Sequence, residues 1–171
     1  MAQTQKQVQI QFRLADVRQL QFVNLSNGWP EGELQVNNQL QFNCDTEQRL
    51  VRCNVNFDYR KNDITQLIFG VQSVFEFTRE SWSTLYQLDG DQWVLPAGLV
   101  QHMADITIGA ARGILAIRSE EAGIPKQILP LVNPGQVLRS NIAFKRLPQQ
   151  AAGTLQPTAA GVPSDGTLGN A

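Results

Sequence analysis

The sequence is short of the groups that chemistry uses. It holds one histidine and two cysteines in 171 residues. Cys44, Cys53 and His102 cannot close a four-ligand zinc site within one chain. His102 and Asp105 sit three residues apart on a helical stretch, a spacing that permits an acid–base pair and equally a plain surface histidine. No nucleophile elbow, phosphate-cradling glycine loop or metal-ligand spacing occurs. These absences point to binding, not to an enzyme, and to no cofactor or metal. Charge is sparse as well: charged residues are 17% and the formal net charge is −1. No cluster of Lys or Arg is present to grip a phosphate backbone, so nucleic acid is not an expected partner. No run of about 18 apolar residues occurs, so no membrane insertion is expected. Met1 to Gln11 is polar and glutamine-rich, without the basic start and apolar stretch of a signal peptide. The expectation is a cytoplasmic protein with reduced thiols, a cross-strand redox pair being the alternative.

What is present is a change of period halfway along the chain. Val8, Ile10, Phe12 and Leu14 alternate with Gln7, Gln9, Gln11 and Arg13. Three further alternations follow: Leu34 to Cys44, Val51 to Tyr59, and Leu67 to Phe77. Period-two patterning of this kind predicts strands with one buried face. Short polar turns at Asp45–Arg49 and Arg60–Asp63 make the last three strands hairpin neighbours. The longer link Asn24–Gly32, which holds Asn27-Gly28-Trp29-Pro30, predicts a crossover and hence a Greek key. Gly70 interrupts the fourth strand and predicts a bulge there.

The second half reads as helix. Pro96 suits a first helical turn, and Gly123 with Pro125 ends the run about 24 residues later. Leu99, Met103, Ile106, Ala110, Ile114 and Ile117 form one stripe, expected to cover the chain's own sheet. Ile108, Ala111 and Leu115 form a second stripe, beside a strip of small residues at Gly109, Gly113 and Ala116. Two interior glycines cost about 1 kcal/mol each relative to alanine. A second apolar side needs a second partner, so Ile108, Gly109, Gly113 and Ala116 are the expected oligomer interface. The alternative is a helix sandwiched within one domain. An apolar, proline-punctuated loop follows from Ile124 to Pro134. A shorter helix starting at Asn133-Pro134 is then expected to carry Val137, Leu138, Ile142 and Phe144. The fold class is therefore α+β: a four-stranded antiparallel sheet with a crossover between strands one and two, then a long and a shorter helix. Residues 1–6 are expected to be a flexible terminus, 7–146 one domain, and 147–171 a disordered tail.

Apolar residues outside the strict core pattern gather in the crossover (Trp29), before the long helix (Trp82, Trp93) and in the interhelix loop (Ile128, Leu129, Leu131). Surface of this kind marks an interaction site. Together they suggest a groove roofed by the crossover and the loop.

The element order resembles the family of the bacterial export chaperone SecB. Gln9-Ile10-Gln11, the stretch ARGIL at 111–115 and GIPKQILPLVNP ending at Pro134 carry the likeness, over roughly residues 7 to 145. The resemblance implies a dimer or dimer of dimers with long helices at the interface. It implies unfolded or nascent polypeptide as partner, held without ATP in apolar grooves, here by Trp29, Ile128, Leu129 and Leu131. It also implies a role in protein export through the motor SecA, which reads carboxylates on the sheet. At the corresponding positions this chain has Val17, Gln21 and Gly70, so the usual acidic SecA contacts are not expected, with Asp16 one residue away. Two other readings stand beside the chaperone. One is an adaptor for a single dedicated partner, such as a toxin–antitoxin pair. The other is a small-molecule binder, which the lack of convergent polar groups disfavours.

Overall fold

The computed structural model describes residues 9–130 and 132–145. The expected flexible start at 1–6 and the tail at 147–171 lie outside them. Four long strands come first: β1 (Phe12–Asn24), β2 (Gln35–Asp45), β3 (Leu50–Lys61) and β4 (Ile64–Phe77). They form one antiparallel sheet in the order β1-β4-β3-β2. This is the expected Greek key, because β2, β3 and β4 are hairpin neighbours and β1 returns to pair with β4. Asn62 and Asp63, both at positive φ, make the two-residue turn between β3 and β4. Two consecutive left-handed residues match the right-handed twist of a hairpin.

Side chains on one sheet face form the core. Val51, Cys53, Val55, Phe57 and Tyr59 of β3 are buried, as are Leu67, Phe69, Val71, Phe75 and Phe77 of β4. The edge strand β1 reaches the same face only by breaking its alternation twice. Register shifts lie between Leu14 and Asp16 and between Gln19 and Gln21. Ala15 and Leu20 are the extra residues. Each bulge flips the parity. Phe12 and Leu14 therefore share the core face with Val17 and Gln19, and then with Phe22. Asp16, Arg18 and Gln21 go to the other face. The bulge expected at Gly70 is in the facing strand, at Leu20. Gly70 itself is paired between Gln21 and Asn56. A Cβ there would meet the Asn56 side-chain oxygen at 2.5 Å.

The outer face is a lattice of polar side chains. Arg18 donates to the Gln72 side-chain oxygen, and Gln72 donates to Asn54 at 2.8 Å. Carboxylates on this face meet guanidinium groups, as in Arg13–Glu76 (2.5 Å) and Arg60–Asp58 (3.5 Å).

After β4 come a short helix, α1 (Arg79–Leu85), and two short strands, β5 (Tyr86–Gln87) and β6 (Gln92–Leu95). The long helix α2 (Ala97–Glu121) follows. Gly123 at φ +64 closes it, and the Ile124 N–H reaches back to the Ser119 carbonyl at 3.1 Å. That is the backbone pattern a C-terminal glycine allows. The second helix is a single turn, α3 (Pro134–Val137), capped by the Asn133 side chain. Ile142 and Phe144 lie beyond it in a strand, β7 (Ile142–Lys145), paired with β6. β5, β6 and β7 make a second, three-stranded sheet that the sequence reading lacked. The reason is local. The backbone edge of β6 offers hydrogen bonds that an isolated amphipathic turn does not, and Asn141 is used to cap the Ala97 N–H at 3.0 Å.

The face of α2 that meets the sheet differs from expectation: it takes the second stripe together with Met103 of the first. Val100, Met103, Ala104, Thr107, Ile108, Ala111, Leu115 and Ser119 are buried on the chain's own sheet. Ile108 is 2% exposed, so it belongs to the core and cannot serve a surface contact. Leu99, Ile106 and Ile114 flank that face, half-buried, and Ile117 is exposed. Periodicity alone gives the stripes but not which one meets the sheet. Here the stripe through Ile108, Ala111 and Leu115 meets the sheet.

Candidate functional site

The crossover between β1 and β2 and the loop after α2 come together at one end of the sheet. The Ser26 hydroxyl donates to the Gly28 carbonyl, and the Ser26 N–H donates to the Asn24 side chain at 3.1 Å. Gly32 sits at φ +87, where a side chain would be strained, with Lys61 against it. The Lys61 ammonium donates to the Glu33 carbonyl at 3.2 Å and ties the crossover to β3. These contacts hold Trp29 half-buried against the core.

Opposite stands the loop Ile124–Pro130. Leu129 is buried in the core, which anchors the loop. Its neighbour Ile128 is 79% exposed. The Tyr59 hydroxyl donates to the Ile128 carbonyl at 3.5 Å. Burial raises the Tyr59 pKa, so this phenol stays a donor. Between crossover and loop lies a groove of about 720 Å³, lined by Trp29, Leu34, Val36, Tyr59, Ile128 and Leu129 among others. Trp29 and Ile128 are thus brought to one groove. Leu129, expected to touch a client, is 3% exposed and belongs to the core beneath it, and Leu131 lies outside the described residues. Tyr59, Leu34 and Val36 also line it. In the sequence they read as core, because alternation does not say which part of a strand pair opens at a rim.

The remaining expected residues fall elsewhere. Gly109 and Gly113 are exposed on α2 with open space where a Cβ would stand, and Ala116 is half-exposed beside them. Val17 faces the core opposite Ser73, not the outer face. Asp16 takes the outer position, a consequence of the bulge at Ala15. Gln21 and Gly70 are on the outer face, where the Gln21 amide donates to Asn56 at 3.4 Å. His102 is exposed against the Phe12 ring, with centroids 6.0 Å apart. Among the described residues no group of three His, Cys, Asp or Glu is placed to hold a metal ion. No helix among them is long and apolar enough to cross a membrane.

A second groove, of about 1110 Å³, lies at the other end of β2. Phe42, Trp82, Tyr86, Trp93 and Phe144 are part of its lining. Trp82 and Trp93 stack at 5.6 Å, and Tyr86 packs on Trp93 at 4.9 Å. Sequence reading singled out both tryptophans but assigned them to the crossover groove. Only the β5–β6–β7 sheet places them here.

Both thiols are free and lie on the core face of β2 and β3. Cys44 is opposite Val51 and Cys53 opposite Phe42, so they are diagonal neighbours. Diagonal positions stand roughly 7–8 Å apart, beyond the usual reach of a disulfide. Burial pushes the Cys44 thiol from its ordinary 9.0 up to about 12, with Asp45 adding to it and Arg52 opposing. Burial pushes Cys53 up to about 11, opposed by a hydrogen bond with Thr107. A raised folded-state value means the native fold holds the proton. That stabilisation is complete below pH 9 and is lost as pH climbs through 11 to 12. At pH 8 a thiol reagent should therefore modify the folded chain about a hundredfold more slowly than the urea-unfolded chain. Equal rates would show that neither thiol is held protonated.

No family model matches the chain, and no curated protein matches it. Among solved structures it is similar to the Mycobacterium tuberculosis Rv1957 SecB-like chaperone, in complex with a ChAD peptide from the Rv1956 HigA1 antitoxin. The TM-score is 0.46 and the identity 14%, over 71% of this chain and 90% of that chain.

Proposed function

We propose that the chain is an ATP-independent chaperone that holds extended apolar segments of unfolded polypeptide in the groove between crossover and helix-connecting loop. The observation that carries this is Ile128. A large aliphatic side chain stands 79% exposed beside the groove, although its neighbour Leu129 is fully committed to the core. Exposing it serves no folding purpose and offers apolar area to a partner. Trp29 supplies aromatic surface, while Tyr59 is buried and acts through its bond to the Ile128 carbonyl. The charged members of the lining are Glu31 and Glu33, both exposed on the crossover. Most of the lining comes from loops, and loop-rich surfaces suit clients of varied sequence.

The protein acts as a homo-oligomer in the cytoplasm on this reading. Its contact lies on the exposed strip of Gly109, Gly113 and Ala116, where small residues let a second backbone approach. The outer sheet face carries matched ion pairs in place of an acidic patch, so the reading does not require delivery to SecA.

The full chain should suppress aggregation of several chemically unfolded proteins at near-equal molar amounts, without ATP. Ile128→Asp should raise the concentration needed for half-suppression about tenfold, a loss on the order of 1.4 kcal/mol. Because the side chain is exposed, its unfolding midpoint should not move. Absence of suppression across all clients would sink the chaperone reading. Unchanged suppression by Ile128→Asp would move the site elsewhere. A native pull-down that returns one partner in place of many would favour the dedicated adaptor.

A further inference from the structure

Asn27-Gly28 in the crossover is the one Asn-Gly pair of the chain. Gly28 stands at φ +150, a conformation that residues with a side chain rarely adopt, so the turn itself calls for glycine here. Both residues are exposed and lie outside the strands. Nothing comes within 4 Å of the place where a Cβ of residue 28 would stand. Among the described residues neither the Gly28 N–H nor the Asn27 side-chain amide has a hydrogen-bond partner. The Gly28 nitrogen is therefore unshielded beside its neighbour's amide carbon, with water around both. Other asparagines are placed differently. Asn43, Asn54 and Asn56 are held in strands and precede larger residues, and Asn141 is occupied in capping the Ala97 N–H.

We propose that Asn27 is a site of self-modification: the Gly28 backbone nitrogen attacks the Asn27 side-chain amide carbon and converts the residue to aspartate or isoaspartate. In the first step the Gly28 N–H gives up its proton and a bond forms from that nitrogen to Cγ of Asn27. The side-chain nitrogen leaves as ammonia, and the product is a cyclic imide. Water then opens the ring at either carbonyl. Opening at Cγ leaves an aspartate in an ordinary chain. Opening at the backbone carbonyl carries the chain through Cγ as isoaspartate, with one more carbon in the main chain and a free α-carboxylate. Water is the only co-reactant, and nothing is oxidised or reduced. Either product sets a carboxylate beside Trp29, in a crossover that already brings Glu31 and Glu33 to the groove lining. Isoaspartate also lengthens the path from Ser26 to Gly28, whose hydroxyl–carbonyl bond helps to hold Trp29. The wall that carries Trp29 is loosened, and the groove weakens as the molecule ages.

The chemistry stands on the crossover alone, and only its effect on clients rests on the polypeptide-binding role above. The test incubates the folded full chain in mildly alkaline buffer made with heavy-oxygen water and follows its peptides by mass spectrometry. The peptide that carries Asn27 should lose ammonia, take up one oxygen from the water and split into two chromatographic forms. Asn62 is exposed in the turn after β3 but precedes Asp63. Because only glycine leaves the attacking nitrogen unshielded, Asn27 should convert about tenfold faster than Asn62. The aged chain should need about threefold more protein for half-suppression of aggregation than the fresh chain. Asn27→Gln, whose ring would need one more atom, should keep its amide and its activity over the same time. Conversion of Asn27 in the urea-unfolded chain but not in the folded one would overturn the inference and leave the chaperone role standing. Conversion no faster than at Asn62 would overturn it as well. Conversion with undiminished suppression would overturn the effect on the groove. A fresh chain without suppression would sink the chaperone reading and leave the modification site in place.

Discussion

Two substitutions one residue apart on α2 are expected to give opposite results: Ile108→Asp should fail to fold, and Gly109→Asp should fold and sediment as a smaller assembly. Ile108 is 2% exposed on the sheet-facing side of the helix. A carboxylate there is buried without a partner. The cost is about 4 kcal/mol or more, against a total stability of roughly 5–15 kcal/mol for a typical domain. Gly109 faces open space, with nothing within 4 Å of an added Cβ. Aspartate there adds no clash within the chain. In the proposed oligomer it would place a charge where two backbones meet. Circular dichroism reads the first outcome and sedimentation velocity the second. A folded Ile108→Asp chain would mean that the helix can rotate its other stripe onto the sheet. A folded Gly109→Asp chain of unchanged mass would remove the strip from the interface.

Phe12→Ala should destabilise the sheet strongly, while deletion of Ala15, three residues on, should not. Phe12 packs on Phe75, Phe77 and His102, and its loss should cost about 2–3 kcal/mol. Ala15 is the extra residue of a bulge. With it removed, alternation runs unbroken and puts Leu14 inside, Asp16 outside, Val17 inside and Arg18 outside, the faces that they hold now. The Phe12 contacts and the Arg18–Gln72–Asn54 chain are kept in the deletion. Urea titration should show a large fall in midpoint for Phe12→Ala and a small one for the deletion. A large fall on deletion would show that β1 needs the bulge itself and not only the faces that it sets.

The four strands, their Greek-key order and the extent of α2 were legible because each rests on a repeating signal or a named stop residue. Crossover and helix-connecting loop could be placed together because both interrupt the alternation with apolar side chains. What escaped was whatever depends on a single inserted residue or on a distant edge. The bulges at Ala15 and Leu20 leave no mark in composition, yet they decide that Val17 is inside and Asp16 outside. The face of α2 that meets the sheet could not be chosen from two apolar stripes of similar quality. β7 spans four residues, and it is a strand only because β6, some fifty residues earlier, leaves an edge for it. Trp82 and Trp93 stood out as aromatics, but their groove exists only once that second sheet is built.

The crossover also has a consequence in time. Phe22 pairs with Phe69 and Phe12 with Phe77, so β1 waits for a partner made 47 to 65 residues later. At a synthesis rate of about 5–20 residues per second, that wait is on the order of several seconds. β2, β3 and β4 are joined by short turns and can close on microsecond scales once made. During the wait β1 is a lone strand carrying Leu14, Leu20 and Val23, which stay exposed even in the finished fold. Two bulges in thirteen residues make it a poor template for a neighbouring chain leaving another ribosome. The irregularity that sets its parity in the native sheet thus also guards the newborn strand until β4 arrives.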